Sequence, residues 1–157
     1  MRKRLINQDI TETASIDTDW LNLELLAEVE ISSEDASYPI ESALLPGLTC
    51  GWRAAESGKQ TIRLRFNNPQ QIRLIKLKFE ENQTERTQIY DLRWSADNGV
   101  TFHEIVRQQW NFSPTGATSE IEEHQVDLPA INLLELNIIP DISGTPAIAS
   151  LTQLRLA

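Results

Sequence analysis

Cysteine is nearly missing from this chain. Cys50 is the only one in 157 residues, so no intrachain disulfide can form and a reducing compartment is expected. Histidine is almost as scarce, and His103 and His124 stand far apart. With a single thiol they make a poor basis for a zinc site, and no metal is predicted. No apolar run approaches the roughly 20 residues needed to cross a bilayer, so no membrane span is predicted. The basic start, Met1 to Arg4, leads into polar Asn7, Gln8 and Asp9 instead of an apolar stretch. That pattern argues against a secretory leader and for a cytoplasmic protein. Positive charge is also in deficit: 14 Lys and Arg against 23 Asp and Glu leave a formal net charge of −9. Such a field repels phosphate backbones, and nucleic acid is not expected as a partner.

Catalytic signatures are equally sparse. Neither a G-x-S-x-G elbow nor a cysteine-protease signature occurs. Cys50, next to Gly51, reads as a small buried or half-buried residue. Sequential carboxylates such as Glu80-Glu81 and Glu122-Glu123 point to opposite faces of a strand, which does not make a glycosidase pair. Glu34-Asp35 and Asp97-Asn98 could offer oxygens to calcium, but EF-hand spacing is missing. Asp97 and Asn98 read better as turn formers. No enzymatic activity and no cofactor are predicted.

What remains is a strand-rich chain. Hydrophobic residues make up 40 % and charged ones 24 %, the composition of a folded domain. The clearest local signal is Gln88 to Val106. Tyr90, Leu92 and Trp94 alternate with Ile89, Asp91 and Arg93, and Asn98-Gly99 supplies a hairpin turn before Phe102, Ile105 and Val106. Further strands are predicted at about Leu26 to Ser32, Gln60 to Phe66, Ile72 to Glu80, His124 to Leu128, Leu133 to Ile139 and Ile148 to Leu156. Asn67-Asn68-Pro69 is read as a turn. A change of parity at Leu25-Leu26 allows either a bulge or a helical turn before the strand, and another at Leu74-Ile75 reads as a bulge. Arg63, Arg65, Arg73, Lys76 and Lys78 alternate with apolar residues and read as solvated outward faces. Residues 1–25 are assigned to an N-terminal arm and 26–157 to one all-β antiparallel sandwich of about eight strands.

Two stretches combine aromatics with hydrogen-bonding groups. Gln108 to Phe112 brings amides, an indole and a phenyl ring to a strand-to-loop transition, a composition that suits a sugar or polar peptide. It equally suits aromatics that plug the end of the sandwich while the amides satisfy backbone. Trp52-Arg53 can stack and hydrogen-bond in the same way, with the indole partly in the core.

Taken in order, these stretches resemble a discoidin, or coagulation-factor C-type, domain of the galactose-binding-like sandwiches. Tyr38-Pro39, Trp52, Ile62–Phe66 with Pro69, and Ile72–Phe79 are similar to the family's successive markers. Tyr90, Leu92, Ser95, Asp97, Gly99 and Phe102 resemble its hairpin, and Leu133–Pro140 and Ile148–Leu156 its closing strands. Leu44 to Gly47 departs from the family's acidic-glycine pair, which weakens any calcium expectation. Arg107 to Phe112 lies outside the family pattern and suggests a bacterial, intracellular branch. The resemblance implies a jelly-roll fold with ligands on loops at one end: Ser33–Tyr38, Trp52-Arg53, Glu81–Thr87 and Gln109–Phe112. With the loop composition, it implies non-catalytic carbohydrate binding, Trp52 and Trp110 stacking while Arg53, Arg86, Gln109 and Asn111 hydrogen-bond. The competing expectation is an intracellular protein–protein interaction module of the same fold.

Overall fold

Alternating apolar and polar residues build most of the molecule. The computed structural model describes residues 19–157, so most of the arm assigned from sequence lies outside the described residues. The elements are a helical turn α1 (Leu23–Leu26), β1 (Ala27–Ile31), a second turn α2 (Glu41–Leu44), β2 (Trp52–Ser57), β3 (Gln60–Glu80), β4 (Arg86–Ser95), β5 (His103–Phe112), β6 (Ser119–Ile139), β7 (Ile148–Leu151) and β8 (Gln153–Leu156). Every strand pairing is antiparallel. The parity change at Leu25-Leu26 is thus resolved as a helical turn that hands over to a strand at Ala27.

Two long strands tie the layers together. The first half of β3, Gln60 to Arg65, pairs with Leu133–Ile138 of β6 and with β1. Its second half, Leu74 to Glu80, pairs with Ser119–Gln125 of β6 and with β8. Register shifts between Arg65 and Leu74 mark the bend where both strands pass from one layer to the other. The predicted turn at Asn67-Asn68-Pro69 is therefore corrected: these exposed residues lie inside one bent strand. The two separate strands predicted at His124–Leu128 and Leu133–Ile139 are likewise one. Conversely, Ile148–Leu156 is divided at Thr152, with β7 on β2 and β8 on β3.

One layer then runs β1, β3, β6, β4, β5, facing the β8–β3–β6 layer. Between them Ile62, Leu64, Ile75, Leu77, Leu92, Leu136, Ile138 and Leu154 are each at most 1 % exposed. The Phe79 and Tyr90 rings meet across the layers with centroids 5.1 Å apart. On the outer face of the larger layer, Arg63 and Arg93 both reach the buried Glu135, at 2.6 Å each. Arg65 pairs with Glu30. The cationic positions read as solvated are thus partly neutralised by carboxylates on neighbouring strands.

Candidate functional site

One end of the sandwich opens into a cleft of about 580 Å³, within the size range of small-molecule sites. Its floor is the ribbon of β2 and β7, where Arg53 stands opposite Ser150 and Trp52 opposite Leu151. The turn entering β2 needs Gly51. Its φ is +73°, and a Cβ there would lie 2.8 Å from the Leu151 carbonyl oxygen. Strand alternation then sends Trp52 inward and Arg53 outward. The guanidinium of Arg53 sits over the Tyr38 ring, 4.4 Å from its centroid. Backbone bonds fix that pairing: Asp35 N–H donates to the Arg53 carbonyl and Arg53 N–H to the Tyr38 carbonyl.

The opposite wall is the loop between β3 and β4, which brings Asn82, Gln83 and Thr84 to the cleft. Glu81 organises it by accepting from the Gln83 N–H at 3.2 Å and from Arg86 Nε at 2.8 Å. Burial raises the Glu81 pKa, but these hydrogen bonds outweigh it and hold the carboxyl below its ordinary value. Arg86 is 3 % exposed. It also donates to the Pro140 carbonyl and to Gln88 Oε1, and lies over the Phe112 ring. A third wall, Thr145 to Ala147, depends on Asp141, whose carboxylate accepts from the Thr145 hydroxyl and the Ser143 N–H.

The six predicted ligand residues do not converge. Trp52 and Arg53 line the cleft, but Trp52 is 1 % exposed and its indole donates to the Ser33 carbonyl. Its stacking role is corrected to a core role, and the other aromatic ring lining the cleft is that of half-buried Tyr38, with the Arg53 guanidinium over one face. Arg86 is corrected from ligand contact to buried support of the wall. Gln109, Trp110 and Asn111 lie within β5, not in a loop. Period-two alternation puts the exposed Gln109 and Asn111 on the outer face and half-buried Trp110 on the inner one, so they cannot close on one ligand. Asn111 instead accepts from the Thr87 hydroxyl. Residues 145–152 were missed because nothing in their composition distinguishes a wall from a connection. Cys50 is exposed at the cleft rim, not buried as its residue type suggested.

Among the described residues, no cluster of His, Cys, Asp and Glu could hold a metal. The hydroxyls, amides, guanidinium and phenol ring of the cleft lining can bind a polyhydroxylated or anionic molecule. Asp97, offered above as a turn former, accepts from the Ser95 hydroxyl and the Thr101 N–H; those bonds hold its carboxyl down to about 2.

An antiparallel sandwich with a cleft built from end loops is the architecture of the galactose-binding-like modules. The chain belongs to the F5/8 type C domain family, whose model matches residues 14–151. Similar solved structures include the chitosan-binding module 1 of a chitosanase/glucanase from Paenibacillus sp. IK-5, at 20 % identity and a TM-score of 0.63 over 87 % of this chain and 98 % of that one. The family 32 carbohydrate-binding module of C. perfringens NanJ, in complex with galactose, is 12 % identical with a TM-score of 0.59 over 83 % and 92 % of the two chains. The family 32 module of AlyQ, in complex with 4,5-unsaturated mannuronic acid, is 17 % identical with a TM-score of 0.61 over 84 % and 95 %. At these identities the likeness is one of fold. No curated protein matches the chain.

Proposed function

We propose that this protein is a non-catalytic carbohydrate-binding module that takes its ligand in the cleft between Arg53 and the 82–84 loop. The observation that carries the reading is the cleft itself, about 580 Å³ with side-chain amides and hydroxyls around the Tyr38–Arg53 stack. Sugars need such a mixture, because their hydroxyls both donate and accept while their C–H faces pack on aromatic rings. Family membership supports it, as do the similar modules whose structures hold galactose or an unsaturated mannuronic acid. A glycan array followed by calorimetry tests it. Binding to one glycan class, weakened about tenfold or more by Tyr38→Ala or by the pair Asn82→Ala and Gln83→Ala, is expected. Loss of no binding in those variants, or binding to no glycan, would count against it.

The exposed, unpaired thiol of Cys50 supports placing the protein in a reducing compartment such as the cytoplasm. Fractionation of the source cells checks that placement. Recovery with extracellular material would contradict it.

A further inference from the structure

We infer that the ligand of this cleft carries a carboxylate, as in a uronic acid, and that Arg53 reads it; this rests on the carbohydrate reading above. The argument is one of charge. Three charged residues line the cleft: Arg53, Glu80 and Glu81. Glu80 is paired with Lys78 at 3.0 Å, and Glu81 with the buried Arg86 at 2.8 Å. Both carboxylates therefore have their countercharge outside the lining. The ion pairs and side-chain hydrogen bonds among the described residues include none from the Arg53 guanidinium.

Arg53 is nonetheless held in place. Its backbone is bonded to Asp35 and Tyr38, and the Tyr38 ring lies under the guanidinium at 4.4 Å. That packing orients the cation without consuming its N–H donors. A positioned guanidinium with free donors matches a carboxylate through two parallel N–H···O bonds, which a neutral hydroxymethyl group cannot reproduce. The rest of the chain gives no general reason to attract anions, since its net charge is −9. The attraction has to be local. Ser150 beside Arg53 and the Asn82 and Gln83 amides across the cleft remain for the sugar hydroxyls.

The test is calorimetry on the intact protein with matched oligosaccharides, galacturonate against galactose and mannuronate against mannose, together with carboxyl-reduced forms of the acidic ones. At least one acidic oligomer is expected to bind about tenfold more tightly than its neutral counterpart, the size of one charge-assisted pair. Arg53→Gln should bring that ratio close to one, and Arg53→Lys, which keeps the charge but not the fork, should leave it in between. Equal binding of acidic and neutral forms overturns the inference while leaving the carbohydrate reading standing. So does an acidic preference that survives Arg53→Gln. Binding of none of these sugars overturns the inference, and the carbohydrate reading falls with it only if the glycan array is silent as well.

Discussion

Glu120 lies beside Phe79 in the strand register, 1 % exposed, with Gln88 3.4 Å from one carboxylate oxygen and the other oxygen without a partner among the described residues. Burial, and then the charge of Glu122 two residues along the same strand face, push its carboxyl up to about 7. A folded-state value above the ordinary one means that the native protein holds this proton more tightly than the unfolded chain. The stabilisation is complete below about pH 4.5 and is lost as pH rises through 7, by about 3 kcal/mol in all. Urea unfolding at pH 5 and pH 8 should show that loss, and Glu120→Gln should flatten it. Glu81 and Glu135 act in the opposite direction, in a separate window. Hydrogen bonds from arginines overcome the effect of burial and hold both carboxyls below their ordinary values. Their contribution is present above about pH 4.5 and is lost only as pH falls further. Glu135 joins Arg63 and Arg93, so Glu135→Ala should cost about 2 kcal/mol, read from the denaturation midpoint. None of this was visible in the sequence, where Glu120 and Glu135 look like other outward-facing acids. Their burial follows from neighbouring strands 32 to 72 positions away.

At the scale of elements, alternation told strand from loop wherever both neighbours of the strand were regular. Tyr90, Leu92 and Trp94 sit on one face of β4 as the pattern required, with Asn98 and Gly99 at positive φ in the turn beyond. It failed at the two long strands, because turn residues are tolerated where a bent strand gives up its pairing. Pro69 lies in the gap between the Arg65 and Gln70 registers, and Pro129 lies opposite that bend, so neither missing N–H breaks a ladder bond. Neither β2 nor the turn into it was read from the sequence, because the close approach of Gly51 to the β7 backbone is a contact across 100 positions of chain. Gly51→Ala would set a Cβ against the Leu151 carbonyl in a strained backbone. It should cost about 1–3 kcal/mol and weaken sugar binding by displacing Arg53. Trp52→Ala should cost about 3–5 kcal/mol as a core truncation. Thermal unfolding separates the two: Trp52→Ala should lose binding only to the extent that it unfolds, whereas folded Gly51→Ala should still bind poorly.

For the whole molecule, the fold class was legible because eight short-period segments with little helix leave few architectures, and the antiparallel sandwich is one. The site was only half legible. Three of the four loops that the family resemblance pointed to contribute residues to one cleft, through Tyr38, Trp52-Arg53 and Glu81 to Thr84. The fourth, Gln109 to Phe112, is a strand whose side chains divide between two faces. Sequence pattern can nominate a loop, but convergence depends on how β2, β7 and the β3–β4 loop meet in space. The most direct measurement is an NMR titration of the ¹⁵N-labelled protein with neutral and acidic oligosaccharides. Saturable shifts confined to Arg53, Asn82 to Thr84 and Ser150 to Thr152 are predicted. Shifts centred on Gln109 to Asn111 of β5, or none with any glycan, would contradict the assignment of this cleft as the binding site.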